Sequence, residues 1–352
     1  MSTPYSDLPD RSFWRAGLAQ GLVPRDVPNP PEIRISSTDL IGTAGSCFAQ
    51  HIGRALRRSG FRLADVEPAP PMLAHELHSD FGYGIYSARY GNIYTTRQLR
   101  QLIARAFGKF RPIEDAWETD GRWFDPFRPS IEPGGFASRA ELEASRESHL
   151  RSVRRLFRRI DVLVFTLGLT ESWRSRADGA AFPVCPGTVA GEFDEDRHVL
   201  VNMTYPEVYS DMEWVISTLR RRRPNLRFVL TVSPVPLTAT ASGNHVLAAT
   251  TYSKSVLRAV AGDLAASFPG VDYFPSYELI TTPSARSENF ENNLRTVRSA
   301  AVDTVMDAFL ESFCLDDPSL GSRSAIPPVQ KRAVDSFDED VLCDEAALDA
   351  FK

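Results

Sequence analysis

Four apolar runs divide the chain, Leu40 to Ala44, Asp161 to Leu167 (DVLVFTL), Arg227 to Val232 (RFVLTV) and Val271 to Phe274 (VDYF), and each reads as a strand. Between them lie stretches whose apolar residues recur at helical spacing: QHIGRALRRSG, TRQLRQLIARAFG, the 138–159 segment ending VRRLFRRI, and YSKSVLRAVAGDLAASF. Strands alternating with helices predict an α/β domain with a parallel sheet covered on both faces. DVLVFTL is almost continuously apolar, as a central strand of such a sheet should be.

Three regions break the rhythm. Residues 1–37 are Pro-rich (VPRDVPNPPEI) and read as an extended arm packed on the domain, which spans 38–316. Residues 108–137 carry WETDGRWFDPF, an Asp-Gly turn between aromatic flanks, and read as an inserted hairpin. Residues 172–205 are polar and punctuated by Gly and Pro, and read as a long loop; residues 317–352 are acidic and read as a flexible tail.

Composition narrows the classes of function. The 352 residues are 43% hydrophobic and 24% charged, as in an ordinary globular protein. A net charge of -5 argues against nucleic-acid or anionic-membrane partners. The run Arg220-Arg221-Arg222-Arg223 reads as the solvated end of a helix before Pro224. Cys47, Cys185, Cys314 and Cys343 show neither CxxC pairing nor zinc spacing, so free thiols, no metal and no cofactor are expected. The start MSTPYSDLPDRSFW lacks a charged segment followed by an apolar one, and no apolar run is long enough to span a bilayer. A cytoplasmic protein is the expectation.

In open α/β sheets, ligands collect at the carboxyl ends of the strands. Those ends read Gly45-Ser46-Cys47, Gly168-Leu169-Thr170-Glu171, Ser233-Pro234-Val235-Pro236 and Ser276-Tyr277-Glu278. Cys47 falls at the start of a helix, where unpaired N–H groups and the helix dipole favour a thiolate and could hold an oxyanion. The alternative is a tight turn of small residues around an inert thiol. His51 lies one helical turn after Cys47. His245, in the loop TATASGNHVLAATTYSK, is better placed for a general base, or is simply a surface histidine. Glu171 is a catalytic carboxylate or a helix-end charge. Trp117, Trp123, Phe124 and Phe127 could stack on a sugar or staple the insertion to the body, and Lys254 reads as a lysine on a solvated helix face.

The GSCFA run at 45–49 resembles the GSCFA family, which is grouped with the SGNH (GDSL-like) hydrolases. GNIYTTRQL (91–99), FTLGLTESW (165–173), SPVPLTAT (233–240), TTYSKSVLRA (250–259), YFPSYELI (273–280) and NLRTV (293–297) extend the resemblance over roughly residues 10–315. It implies a three-layer α/β/α flavodoxin-like fold and an ester hydrolase or O-acyltransferase acting on a small-molecule or glycan acyl ester. In SGNH enzymes the serine nucleophile follows an aspartate, and an Asp-x-x-His block supplies the base. Laid on this chain, Ser46 takes the aspartate position and Cys47 that of the nucleophile. Gly91 with Asn92 resembles the second block, and Gly168 to Thr170 the third, with Thr170 replacing asparagine. The last block falls on Asn293 and Thr296, which cannot relay a proton as Asp and His do. The resemblance therefore leaves a second implication open, a binding module on a degenerate SGNH scaffold.

Overall fold

The computed structural model describes residues 3–19, 21–284 and 286–314, together with Asp344, Ala347 and Leu348. Strand β1 (Ile41–Gly45) leads into α1 (Ala49–Arg58), and α2 (Thr96–Ala106) follows a long connection. Thr95 starts α2 with a reciprocal capping box to Gln98, which satisfies donors that a helix start otherwise leaves orphaned. The hairpin β2 (Trp117–Thr119) and β3 (Arg122–Phe124) comes next, then α3 (Arg139–Phe157) and β4 (Val162–Leu167). Beyond β4 lie β5 (Glu171–Ser175), β6 (Ala181–Phe182) and β7 (His198–Asn202), then α4 (Tyr205–Arg220), β8 (Arg227–Val232), α5 (Val246–Ser267) and β9 (Val271–Phe274). Three helices close the described fold: α6 (Ser276–Thr281), α7 (Arg286–Asn289) and α8 (Ser299–Phe313).

The main sheet runs β1-β4-β8-β9 with every pairing parallel. A parallel bridge from Ile41 to Leu63 adds a short fifth edge. With it counted, the order is 2-1-3-4-5, that of flavodoxin-like doubly wound sheets. β4 is buried along its whole length, and its alternation sorts the core. Leu163, Phe165 and Leu167 face α2, α3, α4 and α5, whereas Val162 and Val164 face α1, α6, α8 and Ile33 and Ile35 of the arm. The expected α/β/α layering is present; of the 1–37 arm, residues 3–15 are exposed, while Leu22, Val27, Ile33 and Ile35 pack on the core and Ile35 donates its N–H to the Phe313 carbonyl at 2.7 Å.

The hairpin forms where the Asp-Gly turn predicts it, with positive φ at Asp120 (50°) and Gly121 (72°). The long-loop reading of 172–205 is incorrect in part, because β5 pairs antiparallel with both β6 and β7. The polar, Gly- and Pro-punctuated sequence hides short strands that draw their partners from within the same segment. The arginine run ends α4 with Arg221 and Arg222 exposed, as expected, but several of its guanidiniums are engaged. Arg220 donates to the Leu226 and Gly270 carbonyls, Arg223 pairs with Asp161, and the Arg222 guanidinium stacks on Phe107 at 4.1 Å. Apart from Asp344, Ala347 and Leu348, the 317–352 tail lies outside the described residues, as does Cys343. Among the described residues, no helix is long and apolar enough to cross a membrane.

Candidate active site

Gly45 ends β1 with φ of +140°, and a Cβ there would sit 2.4 Å from the Thr166 carbonyl oxygen on β4. Only glycine permits this close passage, which turns the chain toward Ser46 and Cys47 at the carboxyl edge of the sheet. Gly168 does the same from the next strand, since its Cβ would lie 2.8 Å from that of Ser46. The two glycines bring the first and third motifs side by side.

Cys47 is buried and lies just before Phe48, the N-cap of α1. The helix entry is tighter than the sequence suggests. The N–H groups of Ala49, Gln50 and His51 donate to the carbonyls of Ser46, Cys47 and Phe48, three residues back. Those N–H groups are therefore engaged, as happens when a helix starts with a 3-10 turn. The Ser46 hydroxyl is buried with no hydrogen-bond partner among the described residues. His51 packs its ring edge-on against Phe48, 5.4 Å between centroids.

Beside the turn stands Tyr86, whose hydroxyl lies 2.5 Å from Asn92 Oδ1 and 3.1 Å from the Ser46 carbonyl. Having one proton, it donates best to the nearer acceptor, and Gln50 Nε2 donates to it in turn at 3.3 Å. Burial, with the nearby charge of Cys47, pushes the Tyr86 hydroxyl well above its ordinary pKa, so it stays protonated and holds Asn92 by its oxygen. The Asn92 amide then faces the other way as a donor and reaches Asp344 Oδ2 at 2.9 Å; Ser130 donates to Oδ1 of the same carboxylate at 2.7 Å. Gly91 precedes Asn92 in a turn with φ of +68°, and Ile93 donates to the Gly45 carbonyl at 2.8 Å, tying this loop to the end of β1.

Thr170 is fully buried. Its N–H donates to Ser253 and its hydroxyl to Asn202 Oδ1 at 2.6 Å, so it ties β4 to α5 and β7. Glu171 begins β5 and accepts from the Thr240 hydroxyl, 2.9 Å from each carboxylate oxygen. Burial raises its pKa, with the Thr240 bond opposing the rise. Thr240 is within hydrogen-bond reach of Ser242, and Ser242 accepts from Asn244, next to His245. Glu171 thus reaches the loop that carries His245. His245 itself is exposed and caps α5, accepting the Leu247 N–H on Nδ1 at 3.1 Å. Asn293 and Thr296 are exposed ahead of α8 and bonded to each other, Asn293 Nδ2 to Thr296 Oγ1 at 2.9 Å.

Lys254 corrects the solvated-face reading. It is 1% exposed, and its ammonium donates to the Gly168 carbonyl at 2.7 Å beneath the site. Helical spacing cannot reveal this, because it gives the face of a helix but not what covers it. Tyr86 and Gln50 also escape sequence reasoning; their role comes from a contact across 36 residues. Trp117 is buried against Phe182, with Phe124 and Phe127 packed around it, so this aromatic group staples the insertion to the body. Cys47, Cys185 and Cys314 form no disulfide, and burial pushes the thiols of Cys185 and Cys314 up to about 11 and about 12. Among the described residues, no group of three or more His, Cys, Asp or Glu side chains could hold a metal.

Comparison with known proteins adds the family. No curated protein matches the chain. Among solved structures, a Clostridium thermocellum family 3 carbohydrate esterase aligns over 79% of this chain and 94% of its own, at 9% identity and a TM-score of 0.34. A structure described as a platelet activating factor from Streptococcus pneumonia aligns over 48% of this chain and 65% of its own, at 13% identity and a TM-score of 0.27. The family model described as GSCFA family matches residues 40–309, a span that takes in the sheet, the Cys47 turn and the Asn92 loop, and the chain belongs to the GSCFA family.

Proposed function

We propose that this protein is an acyl-transfer enzyme, an ester hydrolase or O-acyltransferase acting on a small-molecule or glycan acyl ester through Cys47. The observation that carries the reading is the placement of Cys47 between β1 and α1, beside a Tyr86–Asn92 pair whose amide donates to a carboxylate oxygen. That amide has the chemistry of an oxyanion donor. In the proposed sequence the Cys47 thiolate attacks the acyl carbonyl carbon, and Asn92, with backbone N–H groups at Cys47 and Gly91, holds the oxyanion. The C–O bond then breaks, the leaving alcohol takes a proton from Glu171 or His245, and a thioester remains on Cys47. His245 draws a proton from water or an acceptor hydroxyl, which attacks the thioester and releases the Cys47 thiolate. Ser46, Gly168 and Thr170 shape and tie the turn.

The test is peptide-mapped alkylation by iodoacetamide across pH, followed by an ester-hydrolysis screen. Cys47 is expected to react at lower pH than Cys185 and Cys314, and Cys47→Ala to abolish turnover while Cys314→Ala preserves it. Full activity in Cys47→Ala would sink the mechanism. One observation favours a second reading, a non-catalytic glycan- or protein-binding module: Asn293 and Thr296 bond each other where the resemblance calls for Asp and His. Saturable glycan binding that survives Cys47→Ala without product formation would favour that reading.

A further inference from the structure

Asn92 also lines a partly open cavity of about 30 Å³, bordered by residues of α2, α3 and the segment after the hairpin. This is room for two or three water molecules, or for one carboxylate-sized group. Gln98, Gln101 and Arg105 line it from one face of α2, three and four residues apart.

Arg105 is 7% exposed, and among the described residues its guanidinium makes no hydrogen bond and no ion pair within contact distance. It stacks on the Phe127 ring at 3.8 Å, which orients it without neutralising it. Asp125, on the same wall, is its nearest counter-charge, and Arg105 shares it with Arg128. Asp125 accepts from Arg128 Nε at 2.9 Å and from the Phe127 N–H at 3.1 Å; Asp115 accepts from Arg139 at 2.8 Å and Arg146 at 3.0 Å. Arg146 adds to the positive excess, with Nε and Nη2 buried and without a hydrogen-bond partner among the described residues. His149, also on the wall, gives its Nδ1 to Glu67 and burial pushes it down to about 4, so it is neutral at pH 7. Burial draws Arg105 down to about 10, which leaves it charged at neutral pH.

The wall thus carries two guanidiniums, Arg105 and Arg128, against the one carboxylate of Asp125, and the cavity beside Arg105 has room for a second anion. Gln98 supplies a second donor. Its Oε1 is taken by the Thr95 N–H at 2.8 Å, so its amide NH2 is the group left to donate. We infer that this cavity is a binding site for a short carboxylate, formate- or acetate-sized, anchored by the Arg105 guanidinium with Phe127 beneath it and Gln98 beside it. The site does not depend on Cys47 being a nucleophile. Because Asn92 is a shared wall, the carboxylate would be either a free anion or the anionic end of a molecule bound at Cys47.

The deciding experiment is calorimetric titration of the full chain with sodium formate at constant ionic strength, set by chloride. Saturable binding is expected for formate, with benzoate excluded by the cavity size. Arg105→Gln should weaken formate at least tenfold, Arg105→Lys should weaken it less, and Arg151→Gln, at an exposed pair with Glu147, should leave it unchanged. Absence of saturable formate binding, or an unaltered isotherm in Arg105→Gln, would overturn the inference. Should Arg105→Gln fail to fold, equal binding of formate and benzoate by the unmodified protein would overturn it instead. Once formate binds, its effect on Cys47 alkylation separates the sources. Slowing means that the carboxylate belongs to a molecule spanning both sites, and no effect means a free anion.

Discussion

The two ends of the main sheet handle polar groups in opposite ways. At the amino edge, charges sit near solvent in pairs: Arg223 with Asp161, Arg227 with Asp39, and Arg220 on two backbone carbonyls. At the carboxyl edge the polar groups are buried, and most are neutral: Ser46, Asn92, Thr170, Ser233, Ser253 and Ser276, with Lys254 as the buried cation. Exposed pairs gain little because water already solvates both partners. Buried groups must be matched almost completely, since each unmatched one loses its water without replacement. A Ser46 hydroxyl without a partner among the described residues is therefore a more telling feature of the carboxyl edge than any of the arginines opposite.

Four measurements test this contrast. The largest expected effect is on turnover. Cys47→Ala should lower it by at least about 10³-fold, as loss of a nucleophile does, whereas Arg223→Ala at the other edge should leave it unchanged. Comparable losses in both would remove any functional distinction between the edges.

The next effect is on stability. Gly45→Ala would force a Cβ into the Thr166 backbone at a φ of +140°, and should cost more than about 3 kcal/mol in urea unfolding. A cost below 1 kcal/mol, on the order of a surface change, would mean that the Gly45 turn can relax and does not fix the position of Cys47.

Acid should act through the charged cluster below Asn92. Burial, and then the charge of Arg128, hold His149 at about 4 against an ordinary 6.5, so the unfolded chain takes up the proton first. Stability from this group is fully present above about pH 6.5 and falls as the pH drops towards 4, by about 2–3 kcal/mol. Glu67 is also lowered, despite its burial, by the adjacent His149 and Arg128, so it pulls in the same direction at lower pH. His149→Asn should flatten the upper part of that slope in denaturant midpoints measured from pH 7 to 4. An unchanged slope would locate the acid sensitivity elsewhere.

The smallest effect belongs to the amino edge. Arg223→Ala should cost less than about 1 kcal/mol, because both partners in its pair with Asp161 are about a third exposed. A larger loss, measured by urea unfolding at high and low salt, would show that the arginine run does more than trim the rim.

Much of this molecule follows from the sequence alone. Apolar runs and helical spacing give the strands, the parallel α/β order and the Asp-Gly hairpin, because burial of alternating or helical faces is written in local periodicity. Glycine and small residues at Gly45-Ser46-Cys47 mark the turn for the same local reason. The small sheet of β5, β6 and β7 was not legible, since its strands are two to five residues long and stabilise one another only once paired. Tertiary structure alone decided that Lys254 lies beneath Gly168, that Tyr86 aims Asn92, and that Arg105 is left without a hydrogen-bond partner among the described residues. Each of these depends on how segments pack around a buried polar group, and spacing along the chain carries no record of that.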